Sequence, residues 1–521
     1  MMKKPVISLC MIVKNEADCL PRCLNSVKEI ADEIIIVDTG STDKTVQIAK
    51  NLGAQVIMVP WKGDFSYARN AGLNRAKGTW VLFLDADEEL DQGDAVQLKT
   101  CAEHLEFEAF FLQIHNHSGE TLDSITATVN PIIRMFRNRP EYRFQGYIHE
   151  QIVSSILERQ PEAALHISSV KIHHYGYAGT VVAAKDKIQR NLQLLKKALR
   201  DSPDDPFHHY NIGVEYMRMN DWHAALKHHQ KSLSLAPPET SYIHLLYKYI
   251  ARSHFHLGND AEAIETCDQG ISLFSDYTDL YHLKGTVLLT SNRKQEAKEM
   301  FLVALQKGTA PLLYHTDAGN GTYLSAFALG QICEEMGDGR SAIHWYAEAI
   351  QFQPRWTAPL LRLIRVMKCA NREHELAELL IERFLPLWKD TILLVVNALV
   401  EENCFFAASA VEGSLLKHGI SAAEKDNIAD GTSGMLPVIE TDFTIKNALI
   451  NGNTGEAFQI LQPWLSKHTS SSDAPVQEAY RKSRILLSLA DTHLHDMTLT
   501  SSQFFIYQRA RYTLPSPHFE F

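Results

Sequence analysis

The sequence lacks long hydrophobic runs, paired cysteines and an excess of positive charge. No segment reaches the roughly 20 apolar residues that a transmembrane helix needs. The net charge is −11 with the 24 histidines counted as neutral, so no general attraction to nucleic acid or to an anionic membrane is expected. The eight cysteines are scattered, and the close pair Cys19 and Cys23 has the spacing of neither a zinc knuckle nor a redox motif. These absences predict a soluble cytoplasmic protein with reduced thiols, no membrane span and no nucleic-acid partner.

The amino terminus only superficially resembles a signal peptide. Lys3 and Lys4 precede the apolar stretch Val6–Val13, but a charged segment at residues 14–16 ends that stretch and no small-residue cleavage site follows. We therefore expect Val6–Val13 to be the first strand of the fold. The 521 residues, 22% of them charged and 45% hydrophobic, are enough for two or three domains.

Short apolar runs alternate with amphipathic segments in the first third of the chain. An acidic or hydroxyl residue precedes two of the amphipathic segments (Thr42 or Asp43, and Asp64 or Ser66), as at a helix N-cap. This alternation predicts a parallel, doubly wound sheet. The predicted strands are Val6–Val13, Ile34–Val37, Gln55–Val59 and Thr79–Leu84, and helices are predicted at Ala17–Ile30, from Val46 to a stop at Gly53, and from Asp64 or Ser66 to Gly78.

Carboxylates follow two of these predicted strands. Asp38 comes directly after one strand, and Asp85 and Asp87 come directly after the apolar run Val81–Leu84. Open α/β sheets bind ligands at the carboxyl ends of their strands. Mg²⁺ or Mn²⁺ prefers carboxylate oxygen and leaves coordination sites for phosphate. The arrangement therefore indicates a nucleoside diphosphate held through a divalent metal, although a solvated acidic turn would give the same Asp-Ala-Asp triplet.

Seven blocks occur in the order and spacing of a known family. They are VISLCMIVKNE (Val6–Glu16), DTGSTDKT (Asp38–Thr45), DFSYARN (Asp64–Asn70), WVLFLDADE (Trp80–Glu88), RMFR (Arg134–Arg137), FQGYIHE (Phe144–Glu150) and HHYGY (His173–Tyr177). Together they resemble the family-2 glycosyltransferases with the GT-A fold, in particular the soluble subgroup joined to helical repeats. That subgroup includes sublancin-type peptide S-glycosyltransferases and relatives that glycosylate proteins such as flagellin. The resemblance covers roughly the first 180 residues.

The resemblance implies a role for each of several residues. Asp38, Arg69 and Asp85 would bind the nucleotide sugar: Asp38 at the nucleobase, Arg69 near the diphosphate and Asp85 at the ribose or a metal-bound water. Asp87 and His174 would be the metal ligands for Mn²⁺ or Mg²⁺. The alternatives are a solvated helix-face position for Arg69 and a packing role for His174.

Inverting transfer needs a base on the acceptor side to take the proton of the attacking nucleophile. Glu150 is the candidate, because the resemblance places its block beside the acceptor; His149 and Arg134 are further acceptor-side candidates. The alternative for Glu150 is a structural ion pair with Arg134, Arg137 or Arg143. The chain has no separate Glu-Asp or Gln-x-x-Arg-Trp motif of the processive synthases, so polymer synthesis is disfavoured.

A helical repeat pattern follows the breaker Ser202–Pro206. Small and large residues recur as in tetratricopeptide units, whose length is about 34 residues. The central alanines Ala225, Ala263, Ala297 and Ala342 are 38, 34 and 45 residues apart, so the first and last intervals carry inserted loops, the longer of them at Thr309–Thr322. Stacked repeats form a solenoid with a concave face that suits an extended polypeptide. The alternative role is mechanical: the helices stabilise the catalytic domain or form a homodimer.

These observations predict an α/β GT-A nucleotide-sugar-binding domain followed by an all-α tetratricopeptide-repeat solenoid. The expected domains are residues 1–180 (transferase), 181–205 (connecting helix and linker), 206–385 (solenoid, with a degenerate pair at Trp356–Phe384) and 386–521 (a helical region). The expected activity is metal-dependent transfer of a sugar from UDP or another nucleoside diphosphate to Ser, Thr or Cys of a polypeptide. Two alternatives are a cell-surface glycan or lipid-linked acceptor, and a repeat scaffold with an inactive transferase domain.

Overall fold

The computed structural model describes residues 7–117, 127–175, 181–370 and 372–384, with a few single positions between 394 and 411. The chain divides into two compact units, Met1–Gly337 and Asp338–Phe521, each described by itself. Within the described residues no helix is both long enough and apolar enough to cross a membrane.

The strands described in the first unit are β1 (Ile7–Val13), β2 (Glu33–Asp38), β3 (Gln55–Met58), β4 (Trp80–Phe83), β5 (Glu88–Leu90), β6 (Ala109–His117), β7 (Ala127–Arg137), β8 (Leu165–Tyr175) and β9 (Thr316–Asp317). They form one mixed sheet in the order β3-β2-β1-β4-β7-β6-β8-β5, with β9 paired to β7. The first four strands are parallel, as predicted. Strand β7 then runs antiparallel to both β4 and β6, so the complete sheet is mixed, and the parallel arrangement predicted from the alternation holds for its first four strands.

Five helices cover the sheet: α1 (Leu20–Ser26), α2 (Thr45–Asn51), α3 (Phe65–Leu73), α4 (Ala95–Glu103) and α5 (Val153–Arg159). The predicted cap of α3 is confirmed, because the Asp64 carboxylate accepts a hydrogen bond from the Tyr67 amide at 3.0 Å. The N-cap of α2 is Lys44 instead of Thr42 or Asp43, although Asp43 accepts a bond from the Thr45 amide at 3.0 Å. Helix α1 is shorter than the predicted Ala17–Ile30.

Both faces of β1, β2 and β4 are largely buried, which explains their continuous apolar runs, whereas the edge strand β3 is exposed at Gln55 and Met58. On one face Leu9 and Leu82 belong to a core that includes residues of α1 and α4. On the other face Cys10 and Val81 pack in a second core with Leu73 of α3. The carboxyl ends of β2 and β4 are thereby fixed between two packed layers.

Helical hairpins follow the sheet, and the predicted tetratricopeptide architecture is confirmed. Ala225, Ala263 and Ala297 are fully buried, and a Cβ added at Gly213 would lie 2.4 Å from the His229 ring, so the paired helices cross too closely for larger side chains. The helices described after the sheet in the first unit are α6 (Val181–Asp201), α7 (Pro206–Arg218), α8 (Trp222–Leu235), α9 (Ile243–His256), α10 (Asp260–Leu273), α11 (Thr278–Thr290), α12 (Lys294–Lys307) and α13 (Tyr323–Glu335).

The insertion at Thr309–Thr322, expected to be a loop, includes strand β9. Thr316 and Asp317 pair antiparallel with Val129 and Thr128 of β7, so the repeat region adds a strand to the sheet. The Asp317 carboxylate also accepts bonds from Lys248 at 2.8 Å and Arg252 at 2.6 Å. The sheet and the repeats through α13 accordingly belong to one compact unit, and the domain boundaries expected near residues 180 and 206 stay predictions.

The second unit begins with three helices: α14 (Gly339–Phe352), α15 (Thr357–Cys369) and α16 (Leu376–Arg383). The pair α15 and α16 confirms the helices expected at Trp356–Phe384. Beyond them, the helical region expected at residues 386–521 lies outside the described residues apart from the single positions given above.

Candidate active site

Asp38 ends β2 and is fully buried. Its Oδ1 accepts bonds from the backbone amides of Gly40 at 2.9 Å and Ser41 at 3.0 Å. Its Oδ2 is also buried but has no hydrogen-bond partner in the described part of the chain. A buried acceptor without a donor is costly, so this oxygen fits a ligand that donates a proton, such as a base imide or a ribose hydroxyl.

Asp85 follows β4 and lies between two arginines. Arg69 Nη2 of α3 is 3.3 Å from Asp85 Oδ1, and Arg134 Nη2 of β7 is 3.3 Å from Asp85 Oδ2. Burial alone would raise the pKa of Asp85, but the two guanidinium groups outweigh it and hold the pKa well below its usual range. Asp85 is therefore ionised, and the two guanidinium groups balance its negative charge. The side chain is still 38% exposed to solvent.

Glu88, which the sequence analysis missed, completes this network. It is almost fully buried, accepts a bond from Arg134, and accepts another from the Asp85 backbone amide at 2.9 Å. Burial raises the pKa of Glu88 to about 7 although the charge of Arg134 opposes the shift. Glu88 directly follows the Asp-Ala-Asp triplet, and this adjacency was the one signal that pointed to it.

Arg69 is a buried site residue, so the alternative of a solvated helix-face arginine is wrong. It is 9% exposed, and its guanidinium lies 4.0 Å from the centre of the Phe83 ring. Its Nη2 contacts Asp85, its Nε donates to Glu150, and its Nη1 is buried with no hydrogen-bond partner in the described residues. An unpaired guanidinium nitrogen fits an anionic ligand such as a diphosphate.

Asp87 and His174 lie close together. His174 Nε2 is 3.1 Å from Asp87 Oδ2, and His174 Nδ1 donates to Asn116 Oδ1 at 2.8 Å. Burial would lower the pKa of His174, but the hydrogen bond to Asp87 and the charge of that carboxylate raise it above its usual value. The neighbouring His173 contacts Asp91 instead, at 2.9 Å, since successive strand residues point to opposite faces.

The pair Asp87 and His174 fits a shared metal ion. Two adjacent ligands of an octahedral ion with bonds of about 2.1 Å are about 3 Å apart, which is the separation of these two atoms. The bond to Asn116 also keeps the proton on Nδ1, so a neutral His174 offers the Nε2 lone pair. Across the described ranges no group of three or more His, Cys, Asp or Glu side chains is arranged to hold a metal. The protein would thus supply two ligands, and phosphate and water the others.

Glu150 is mostly buried, with 8% of its side chain exposed, and forms an ion pair with Arg69. The expected alternative partners Arg134, Arg137 and Arg143 are therefore not the ones observed. Arg69 contacts both Glu150 and Asp85. The structure therefore places the candidate base next to the candidate nucleotide-binding residues.

The two further acceptor-side candidates lie apart. Arg134 contacts Asp85 and Glu88, which joins it to the donor-side carboxylates. His149 Nε2 instead lies 4.0 Å from Glu215 Oε1 of α7, and burial lowers the pKa of His149 to about 4. Sequence reasoning missed Glu215 and Asn116, because nothing in a repeat helix or an unpredicted strand marks a residue as a partner of a site.

The chain is similar to known glycosyltransferases in sequence. Residues 8–155 match the family model described as Glycosyl transferase family 2. A TPR repeat-containing protein of Synechococcus elongatus is 35% identical over 264 residues, which are 50% of this chain and 64% of that protein. The SPbeta prophage-derived glycosyltransferase SunS of Bacillus subtilis is 30% identical over 232 residues, which are 44% of this chain and 54% of SunS. The chain thus spans between half and two thirds of the length of these relatives.

Two solved structures match parts of the chain at low TM-scores. S. aureus TarS in complex with UDP-GlcNAc has a TM-score of 0.31 at 13% identity, over 50% of this chain and 89% of that chain. The crystal structure of MamA has a TM-score of 0.28 at 18% identity, over 35% of this chain and 97% of that chain.

Proposed function

Because residues 8–155 match the model of the family 2 glycosyltransferases and tetratricopeptide repeats follow them, we propose that this chain transfers a sugar from a nucleotide sugar to a polypeptide acceptor. The observation that carries the proposal is the set of carboxylates Asp38, Asp85 and Asp87 at the carboxyl edge of the sheet, inside the matched region. Asp38 retains an unpaired buried oxygen, and Arg69 retains an unpaired buried nitrogen beside Asp85.

On the donor side, Asp38 receives the nucleobase or ribose and Arg69 contacts the diphosphate. Asp87 and His174 would hold Mn²⁺ or Mg²⁺, which would supply positive charge against the leaving diphosphate. Asp85 is kept ionised by two arginines and remains open to solvent, so it is available to a ribose hydroxyl or a metal-bound water.

On the acceptor side, Glu150 is the base that takes the proton of the nucleophile. Glu150 forms an ion pair with Arg69, the residue proposed to contact the diphosphate. One guanidinium group therefore couples the base electrostatically to the leaving group. Transfer by a base opposite the leaving group inverts the anomeric configuration. A hydroxyl of Ser or Thr needs this base, whereas a Cys thiolate needs less help.

A polypeptide acceptor is favoured because the repeat helices adjoin the loop that carries Glu150. Ile148, two residues before Glu150, packs with Leu192 and Leu195 of α6 and Ile212 of α7. An extended peptide held by the repeats would therefore arrive at the acceptor side of the site. Cytoplasmic location and homodimer formation stay predictions.

The test is a panel of nucleotide sugars with Mn²⁺, read as release of nucleoside diphosphate by the purified protein. We expect one donor to turn over, with stimulation by Mn²⁺ and loss after chelation. A second assay follows sugar transfer from that donor to a peptide library and to a glycan or lipid-linked acceptor by mass spectrometry. Modification of the glycan or lipid acceptor alone would replace the polypeptide proposal, and no turnover of any donor would indicate an inactive scaffold.

A further inference from the structure

The loop of residues 144–151, which ends in Glu150 and Gln151, is bound on one side by α3. The Asn70 side chain bonds in both directions to the Phe144 backbone, at 2.9 Å each. The Ser66 hydroxyl donates to the Gly146 carbonyl at 2.6 Å, and the Phe65 amide donates to the Tyr147 carbonyl at 3.0 Å. Because α3 also carries Arg69, these contacts fix the loop relative to the partner of Glu150.

The other side of the 144–151 loop rests on the helical region. Ile148 is buried against α6 and α7, as described above. The Tyr147 hydroxyl donates to Asp201 at 3.2 Å, and Lys197 lies 3.9 Å from the centre of the Tyr147 ring. Two consecutive residues of the loop are thus held by helices that follow the sheet in sequence.

The third consecutive residue, His149, meets a buried carboxylate of the first repeat. His149 has a left-handed backbone with a φ of 52°, which costs free energy for a residue with a side chain and persists only where the surroundings enforce it. Glu215 of α7 is fully buried, and Asn191 at 3.0 Å and Arg218 at 3.1 Å both donate to its Oε1. Its Oε1 is also the atom 4.0 Å from His149 Nε2.

Neither group is fully satisfied by these contacts. Glu215 Oε2 and His149 Nε2 are both buried without a hydrogen-bond partner in the described residues. Burying a carboxylate is costly, and Arg218 and Asn191 compensate the charge at Oε1 only, so Oε2 is left without a donor. The His149 ring lies beside this carboxylate, and a neutral imidazole that carries its proton on Nε2 would present a donor to it, next to the left-handed backbone.

We propose that Glu215 is a positioning residue of the active site: from the first repeat it holds His149 in its left-handed conformation and thereby aims Glu150 at the acceptor. This inference rests on the proposed function and names a repeat-region residue that the site requires. The backbone of His149 directly precedes Glu150, so rotation at His149 moves the Glu150 carboxylate relative to Arg69 and the sugar. A displacement of about 1 Å of a reacting group can cost about 100-fold in rate.

The experiment measures nucleoside diphosphate release from the active donor of the panel, with water as the acceptor. We expect Glu215→Gln, which is nearly isosteric, to lower kcat about 10- to 100-fold and to leave the KM for the donor unchanged. Glu265→Gln is the matched control, because it makes the same substitution at an exposed carboxylate of α10 in a later repeat and should leave kcat unchanged. His149→Asn is the second variant: asparagine tolerates the left-handed backbone but loses the imidazole, and it should reproduce the loss in kcat.

A double mutant separates positioning from general destabilisation. If Glu215 acts through Glu150, Glu215→Gln adds no further loss in a Glu150→Gln background, because effects of residues that act as one unit are not additive. Unchanged kcat per folded molecule in both Glu215→Gln and His149→Asn, or additive losses in the double mutant, would overturn the inference while the wild-type activity stands. Absence of donor turnover by the wild-type protein would instead overturn the proposed function, and the inference with it.

Discussion

The donor side and the acceptor side of the site are built from different parts of the chain. The donor-side candidates stand at strand ends of the sheet, and Asp38, Asp85 and Arg69 are fixed by contacts inside that domain. The Glu150 loop, by contrast, is held between α3 and the helices α6 and α7. Under the proposed function we expect nucleotide binding to depend on the sheet, and acceptor activation to depend on the sheet and the repeats together.

The largest expected effect is at the metal. Asp87→Ala should abolish the stimulation of donor binding by Mn²⁺, because His174 alone cannot replace a bridging ligand whose contribution is typically several kcal/mol. Isothermal titration of the donor with and without Mn²⁺ measures this loss. Glu89→Ala is the control, since Glu89 lies on β5 and contacts only the surface residue Arg22 at 3.5 Å among the described ion pairs. Equal donor affinity in Asp87→Ala and the wild type would rule out the metal assignment.

Glu150→Gln should distinguish most clearly between the donor side and the acceptor side of the site. We expect it to keep donor binding and to lower turnover by about 10²- to 10⁴-fold, the range for loss of a positioned general base. A smaller loss is expected for a cysteine acceptor. Glu158→Gln is the control, because Glu158 is an exposed carboxylate that accepts a bond from Gln145 of the same loop at 3.3 Å.

A lower melting temperature of Glu150→Gln with normal turnover per folded molecule would assign Glu150 a structural role. The base would then have to be sought elsewhere on the acceptor side.

Asp317→Asn should weaken the attachment of the repeats to the sheet. Its carboxylate pairs with the buried Lys248 and with Arg252, and loss of one partner of such a pair costs about 3 kcal/mol in the free energy of unfolding. Burial would raise the pKa of Asp317, but Lys248 and Arg252 hold it well below its usual range. The stability it contributes is therefore complete above the unfolded pKa of about 4 and is lost as the pH falls below that value.

Denaturant unfolding at several pH values measures this contribution. The difference between wild type and Asp317→Asn should be constant at neutral pH and shrink below about pH 4. Asp268→Asn removes the more exposed pair with Lys284 and should cost at most about 1 kcal/mol. A difference that persists unchanged in acid would contradict the ion-pair explanation.

The smallest expected effect concerns the spacing of α7 and α8. Gly213→Ala places a Cβ 2.4 Å from the His229 ring, and overpacking of this kind costs about 1–3 kcal/mol. Because Gly213 is two residues from Glu215, the variant should also lower donor turnover at unchanged donor affinity. Gly285→Ala, which meets Phe301 at 3.0 Å in a later repeat, should lower stability alone. Equal turnover in the two variants would argue against a coupling between α7 and the site.

Parts of the fold could be predicted from the sequence because their signals are local. Continuous apolar runs predicted β1 to β4, since parallel strands are buried on both faces, and small residues at fixed spacing predicted the repeats. The antiparallel strands β6 and β7 were not predicted. The insertion that forms β9 was also missed, because a strand of two residues has no pattern of its own and exists only through its pairing with β7.

The sequence by itself determined which residue types stand at the strand ends: Asp38, Asp85 and Asp87 follow apolar runs, and the chain places them at one edge of any parallel sheet it forms. Only the tertiary structure decided their partners. Arg69 pairs with Glu150, and Arg134 bridges Asp85 and Glu88. Glu215, which belongs to the repeat helix α7, lies beside His149. The physical reason is that strand and helix periodicity act over a few residues, whereas charge pairing is decided by which distant segments the packed core brings within about 4 Å of each other.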